Sequence, residues 1–371
     1  MKGEQPRIML LMDTNRAYER GLLRGVLRYS RLHGPLSFWR KQHVVSGGPR
    51  RISLKMIREW RPDGIIWREG YCTLDIKSLG VPTVFAPYRA PDPQLLNVVS
   101  GDAAIGAKVV DHFLRRGFRH FAYYSHSDSL YFSRARRAAF TTGVQQAGCE
   151  VSYCCRDETP DVAAWLGAQS FPLGLMVATD DCAADCYAAA REAGLAIPQD
   201  LAIIGVGNDE LICDFAIPPL SSVGMNTEHA GYEAARALID MIEGRAPGRD
   251  IVCDACEVTE RPSTSVLAVE DRVIASAIQF IRSRLGENLH VEDVVRAMPV
   301  SRRALYTRFK LAVGRSIYDE IRLAKMDYAA RMLTDTDMSI AAIAEKLGYG
   351  DAKNLARVFR HAKGLPPLKY R

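Results

Sequence analysis

Residues 348–360 read GYGDAKNLARVFR, and the periodicity of this stretch decides how the last hundred or so residues fold. Asp351 is placed to cap the first-turn amides of a helix, with Gly348 and Gly350 permitting the tight turn before it. Leu355, Val358 and Phe359, at i, i+3 and i+4, share one face, so Lys353, Asn354, Arg357 and Arg360 project from the other. A charged helix face ordinarily meets only water. A second copy of the pattern argues against that reading here. Residues 301–314, SRRALYTRFKLAVG, repeat it at an offset of 50, with Ser301 for Asp351, Leu305 for Leu355, Phe309 for Phe359 and Gly314 for Gly364. The preceding helix repeats as well. Val291, Val294, Val295 and Met298 match Ile340, Ile343, Ala344 and Leu347 at an offset of 49, so the second turn is one residue longer.

Each copy is therefore a short apolar helix, a turn of three or four residues and a helix with a basic outer face, the helix-turn-helix plan. The units span about 290–312 and 339–362. Between them, residues 316–333 carry apolar side chains at Ile317, Ile321, Leu323, Ala324, Tyr328 and Leu333, which predicts one long helix that fixes the two units relative to each other. A pair held in this way can enter successive major grooves of double-stranded DNA. The side chains placed to meet it are Arg302, Arg303, Tyr306 and Thr307 in the first copy and Lys353, Asn354, Arg357 and Arg360 in the second.

Charge points the same way. The chain holds 49 Lys and Arg against 43 Asp and Glu; from Glu270 onward the count is 19 against 12, which leaves 30 against 31 upstream. The whole positive excess sits in the C-terminal segment, interleaved with core residues on compact helices rather than lining one long apolar face. Nucleic-acid phosphates account for that pattern better than a membrane surface does.

This segment resembles the AraC family of transcription regulators, whose C-terminal domain carries two such units joined by a long helix. The resemblance rests on Ile343-Ala344, Gly348-Tyr349, Asp351, Arg357, Phe359, Gly364, Pro367 and the closing Tyr370-Arg371. Leu355 and Pro366 depart from it, where the family commonly has an aromatic residue and a threonine.

The first 265 residues have ordinary globular composition, 48% hydrophobic and 25% charged over the whole chain. Residues 1–7 run directly into an apolar run instead of a signal-peptide core, and no stretch approaches the ~18 apolar residues of a membrane span, so a cytoplasmic protein is expected. Of nine cysteines only Cys253 and Cys256 form a C-x-x-C, without the second ligand pair a zinc site needs; all nine are expected as reduced thiols, with no metal or cofactor. Short apolar runs at 8–12, 64–67, 83–86, 120–124, 174–178 and 201–206 alternate with helical periods at 18–33, 103–116, 134–147, 182–193 and 227–243. That is the βαβ rhythm of parallel sheets, and the length accommodates two of them.

In such sheets ligands bind beyond the carboxyl ends of the strands. The residues there are Asp13, Ser125, Thr179-Asp180 and Gly207-Asn208-Asp209. A dinucleotide site at Gly205-Val206-Gly207 is disfavoured, because Glu210 replaces the third glycine and no helix with an open phosphate-binding start is expected after it. Carboxylates and amides suit sugar hydroxyls, with Arg136 able to lie across them. The candidate ligand residues are thus Asp13, Arg136, Asp180 and Asn208. Asp13 and Asp180 could instead cap the helices after their strands, and Asp102 is expected to do so.

This half resembles the lac-repressor-like, periplasmic-binding-protein type of two-lobed sensor: residues 102–124 match its crossing between lobes, 132–140 its ligand-arginine segment and 202–223 its last strand and hinge. A sensor placed before a double AraC-type reader, with DTNRAYER at 13–20, resembles the xylose-operon regulators. Gly207 and Gly101-Asp102 depart from that pattern, where an Asp and an Asp-Asn pair are usual.

The expectation is an α/β sensor domain over 1–265 and an all-α double helix-turn-helix domain over 266–371. The resemblance implies a sugar-responsive transcription regulator, an activator sensing xylose or a related monosaccharide, working as a homodimer, with RNA polymerase a candidate partner. A cytoplasmic α/β enzyme acting on a small polyol, with a fused DNA-binding tail, is the competing reading. It finds no G-x-S-x-G, no phosphate-binding loop and no histidine pair at metal-ligand spacing. A transport binding protein is disfavoured by the fused reader.

Overall fold

The structure, a computed structural model, describes residues 5–40, 52–266, 268, 271–286 and 289–371. The chain divides into two compact units, Met1–Ser265 and Val266–Arg371.

In the first unit, strand β1 (Arg7–Leu11) shows why a continuous apolar run becomes a central strand. Ile8 and Leu10 enter a core shared with Leu22, Val26 and Leu238, whereas Met9 and Leu11 enter another with Ile57 and Ile76. A strand covered on both faces must be apolar at every position. Beside it lie β2 (Ser37–Arg40), β3 (Gly64–Arg68), β4 (Thr83–Ala86), β5 (Leu96–Ser100) and β11 (Ile251–Cys253), in the order β11-β5-β4-β3-β1-β2, all parallel. The second sheet holds β6 (His120–Ser125), β7 (Val151–Cys155), β8 (Leu173–Val177), β9 (Leu201–Gly207), β10 (Ser221–Met225) and β12 (Ala255–Thr259), ordered β12-β10-β9-β8-β6-β7. Only β12 runs antiparallel to its neighbour.

The chain passes between the two sheets three times: from β5 into helix α3 (Asp102–Leu114), from β10 into α8 (Thr227–Ile242), and from β11 to β12. Two lobes result. Helix α8 returns to the first lobe and packs against α1 (Ala17–His33) so closely that a Cβ on Gly25 would lie 2.0 Å from the Glu228 carbonyl, and one on Gly231 2.0 Å from that of Leu22. Only glycine permits this approach. It fixes the start of α1 at the edge of the cleft. The second lobe adds α4 (Tyr131–Gln146), α5 (Val162–Gly167), α6 (Ala183–Glu192) and α7 (Glu210–Phe215).

The second unit is helical: α9 (Arg272–Ser283), α10 (Val291–Ala297), α11 (Arg302–Val313), α12 (Ile317–Asp335), α13 (Ile340–Lys346), α14 (Ala352–Lys363) and α15 (Pro367–Tyr370). The long helix α12 serves two cores in turn. Ile317, Ile321 and Ala324 pack with Leu305 and Phe309, whereas Met326, Ala329, Met332 and Leu333 pack with Leu355 and Phe359. Tyr328 touches both. The turns comprise residues 298–301 and 347–351, four and five residues, each one longer than the spacing predicts, because α10 and α13 end a residue early. Gly348 adopts a left-handed φ of 73°, but Gly350 does not, so one glycine makes the turn. All nine cysteines are free. Among the described residues no helix is long and apolar enough to cross a membrane, and no cluster of His, Cys, Asp and Glu could hold a metal ion.

Candidate functional site

A cavity opens where the carboxyl ends of both sheets face each other. The first lobe contributes Arg16–Glu19 at the start of α1, Arg68 at the end of β3, Pro87 and Tyr88 after β4, and Val98–Ser100; the second contributes Tyr131, Phe132 and Arg136 of α4, Thr179–Asp181, Val206, Gly207, Asp209 and Ile212.

Two buried guanidiniums form opposite walls. Arg68 lies over the rings of Tyr88 and Tyr18, at 3.5 and 4.8 Å, and donates to Glu19 at 3.2 Å and to the Ala86 and Pro87 carbonyls at 3.2 and 2.8 Å. Glu19 Oε1 also accepts the Tyr88 hydroxyl at 3.1 Å, but its buried Oε2 has no hydrogen-bond partner. Arg136 donates from Nε to Asp102 at 2.8 Å and from Nη1 to the Ala178 carbonyl at 2.6 Å, and its Nη2 meets only the Met225 sulfur, at 3.7 Å. Asp102 therefore does not cap α3, as the sequence suggests. Its Oδ1 accepts from Ser100 and Arg136, and its buried Oδ2, like that of Glu19, is unpartnered. Burial raises the Asp102 carboxyl above its ordinary range, with Arg136 opposing the shift.

Asp180 is held differently. It accepts the Ser222 hydroxyl at 2.6 Å and the Asp209 amide at 2.8 Å, and burial pushes its pKa up to about 6 against those two bonds. A Cβ on Gly205 would lie 2.2 Å from its Oδ1. The glycines of the Gly205-Val206-Gly207 segment thus admit a carboxylate, not a phosphate. A helix does follow, α7, but an acidic side chain already occupies its start.

Asp209 spans the cleft. Its Oδ2 accepts the Ala17 amide at 2.9 Å and the Arg20 guanidinium at 2.7 Å, acting as the missing cap of α1, whose own N-cap residue, Arg16, makes no side-chain capping bond.

Of the four candidate ligand residues, Arg136 and Asp180 line this cavity together. Asp13 lines an adjoining cleft with Glu69 and Tyr71. Asn208 turns away from both: at a left-handed φ of 50° its amide donates to Ser222 at 3.0 Å, and its side chain accepts Arg261 at 2.8 Å. Ser125 is wholly buried in the second lobe beside Tyr153. Sequence reasoning overlooked Glu19, Arg68 and Tyr88. The signal was available, since Arg68 directly follows the run at 64–67 and Tyr88 stands two residues after that at 83–86.

In the second unit, Ser301 and Asp351 cap their helices, accepting the amides of Ala304 and Asn354 at 3.3 and 2.7 Å, and Gly314 and Gly364 close them at φ 76°. Leu305, Phe309, Leu355 and Phe359 are buried. Arg302, Arg303, Tyr306, Thr307, Lys353, Asn354, Arg357 and Arg360 are all exposed. Arg302 is drawn back to Glu292, at 3.1 Å, and to the Tyr306 hydroxyl. Arg357 donates to Asn354 Oδ1 at 3.1 Å, so these two side chains present their polar atoms as a pair. Lys325, buried on α12, donates to the Leu347 carbonyl at 2.8 Å and pins the second turn.

The periplasmic binding protein-like domain family matches residues 110–264, and a helix-turn-helix domain family matches residues 294–371. The xylose operon regulatory protein of Escherichia coli K12 is 26% identical over 392 aligned positions, covering 100% of this chain and 98% of that protein. Its counterpart in Haemophilus influenzae is 24% identical, covering 100% and 99%. The solved structure of a xylose-binding transcription activator superposes with a TM-score of 0.75 at 24% identity over 100% of this chain and 98% of that one, which shows a common fold.

Proposed function

We propose, from the premise that this chain is a DNA-binding transcription regulator joining a periplasmic-binding-protein-like sensor to an AraC-type helix-turn-helix reader, that its effector is an uncharged, hydroxyl-rich monosaccharide. One observation carries the proposal. The two buried guanidiniums of the cavity are already neutralised by protein partners and the exposed third, Arg16, lies 3.9 Å from Asp181, while Glu19 Oε2 and Asp102 Oδ2 are buried and unpartnered. Buried acceptors without donors are costly, and ligand hydroxyls would supply them. A carboxylate or phosphate would add repulsion instead. Aromatic walls at Tyr18, Tyr88 and Phe132 suit the apolar face of a sugar ring. The names of the relatives make D-xylose the first compound to try. Arg136, Asp180, Asp102 and Glu19 are the proposed contacts; Asp13 borders the cleft, and Asn208 acts from behind the cavity.

Effector binding favours the closed arrangement of the lobes, and it does so by its differential affinity for the two arrangements. The reader then engages promoter DNA through Arg303, Thr307, Lys353, Asn354 and Arg357 at base edges, with Arg302, Tyr306 and Arg360 nearer the phosphates. Pairing of two copies raises effective concentration at adjacent half-sites, so the working species is a homodimer in the cytoplasm. Activation follows the description of the similar solved structure as a transcription activator, and RNA polymerase is the partner proposed for it. The reading assigns the chain no chemical reaction of its own.

Calorimetry of the full chain tests the effector assignment with D-xylose, other pentoses, hexoses and the corresponding sugar acids and phosphates. Binding of a neutral sugar, weakened by Glu19→Gln and by Arg136→Lys, supports it. Preference for a sugar acid or phosphate, or turnover of the sugar, overturns it.

A further inference from the structure

The sensor unit ends in a short strap after β12, and this strap is fastened almost wholly by polar side chains. Ser263 and Thr264 have no exposed surface. Ser263 donates its hydroxyl to the Ile203 carbonyl at 2.6 Å and accepts the Ser221 amide at 2.8 Å; Thr264 meets His112 at 2.9 Å. Those bonds fix the strap to β9, β10 and α3, the body of the second lobe.

Arg261 does something else. Its backbone amide belongs to the strap, donating to the Ser221 hydroxyl at 2.8 Å, while its side chain reaches back toward the cleft. There Nη1 donates to Asn208 Oδ1 at 2.8 Å and to the Leu220 carbonyl at 3.1 Å, and Nε to Asp214 at 2.8 Å. Asn208 immediately precedes Asp209, the residue that grips the first lobe through Ala17 and Arg20. Its amide shares the Ser222 hydroxyl with Asp180 of the cavity wall. The left-handed backbone of Asn208 is a conformation most side chains avoid, and it holds here because both of its ends are bonded. A single guanidinium therefore connects the segment that grips the first lobe to the segment by which the chain leaves the sensor.

We propose that Arg261 is a positioning residue, which transmits closure of the effector cleft to the exit strap through Asn208. The proposal rests on the regulator reading. With Arg261 in place, the strap takes one position for each state of the loop at 207–209. Without it, the strap stays fastened by Ser263 and Thr264 but no longer registers that loop.

Two measurements on the full chain test it. First, operator affinity is titrated with and without saturating D-xylose in wild type, Arg261→Lys and Asp214→Ala. Lysine keeps the charge, but its ammonium ends a bond short of Nη1, the one nitrogen that reaches both Asn208 and Leu220. The expected result is that Arg261→Lys binds D-xylose within about twofold of wild type while its operator affinity becomes insensitive to the sugar, where coupled sites ordinarily differ 5- to 150-fold. Asp214→Ala, which removes only an exposed partner, keeps the wild-type ratio. A variant with lowered affinities but an unchanged ratio would assign Arg261 a merely structural role and overturn the proposal.

The second measurement needs no effector. Hydrogen exchange at the strap amides of Ser263 and Ser265 is followed in Asp209→Asn, Arg261→Lys and the double variant, with Asn208→Gly breaking the same bond from the other end while keeping the left-handed backbone. Loosening the cleft bridge is expected to raise strap exchange only when Arg261 is present, so that the two substitutions are not additive. Additivity would sever the proposed link. Should no sugar bind yet the cycle show coupling, the effector assignment falls and the role of Arg261 stands.

Discussion

Across the cleft, the Asp209 carboxylate of the second lobe receives the Arg20 guanidinium of the first at 2.7 Å, and the same oxygen accepts the first free amide of α1. One side chain thus supplies an ion pair and a helix cap between the lobes at once. The proposed closing motion makes both together.

Asp209→Asn retains an acceptor for the Ala17 amide and loses the charge, whereas Asp209→Ala loses both. Charge-assisted bonds of this kind contribute about 1.5–3 kcal/mol. Effector affinity, which scales with the population of the closed form, is expected to fall a few-fold in the first variant and roughly tenfold or more in the second. Calorimetry ranks them, and equal affinities in all three proteins would remove Asp209 from the closing mechanism.

Asp180 gives the sensor a characteristic pH dependence. Burial, with Asp181 and Asp209 adding to it, raises its folded-state pKa to about 6 from 3.8. The folded state then holds a proton that the unfolded chain has released, so the contribution is complete below pH ~4 and is lost as pH rises through about 6. Asp180→Asn should remove that decline. All four tryptophans lie in the first unit, so the fluorescence-detected urea midpoint reports the sensor alone. Wild-type stability minus that of the variant should fall with rising pH across this window; a rise would mean the carboxylate is stabilised as the anion.

On the reader, Arg357 and Arg360 should fail in different ways. Arg357→Ala removes a side chain already paired with Asn354 for base contact, and it should cost roughly 1–3 kcal/mol on the operator while relaxing preference at one or two base pairs. Arg303→Ala should do the same for the first copy. Arg360→Ala should weaken operator and random DNA alike and lower the salt slope by about one unit. Titrations across single-base operator variants and a salt series distinguish these patterns, and indifference of Arg357→Ala at every base would return α14 to a solvent-facing role.

The division at Ser265 makes each part separable. Residues 266–371 alone should bind operator without effector, less tightly than the full chain, because the proposed homodimer brings a second copy that the fragment lacks; residues 1–265 alone should bind the sugar. A folded C-terminal fragment that treats operator and random DNA alike would place sequence reading elsewhere.

The repeated helix-turn-helix was legible, apart from the exact turn lengths, because two copies of one pattern cannot arise from composition, and Phe309 and Phe359 mark the same buried point in each. The central strands were legible as continuous apolar runs. Six strands were not: β2, β5, β7, β10, β11 and β12 lie outside the runs, and the edge positions and polar residues among them, such as Ser221-Ser222 and Asn97, break the pattern. Polar residues mislead for a related reason. Asp102 and Asp180 stand where a local cap is a natural guess, yet each, like Asn208, is bound by a side chain or amide at least 14 residues away, and such pairing leaves no local signature.

The helix α12 finally sets what can vary in this reader. Because its two halves belong to different cores, it acts as a ruler between the recognition helices. One inserted residue would turn the second core by about 100° against the first and shift it by about 1.5 Å. Exposed positions such as Lys353 and Asn354 answer to no such constraint. Lineages can therefore rewrite the letters of a binding site by single substitutions, while the distance at which those letters are read is inherited as a unit.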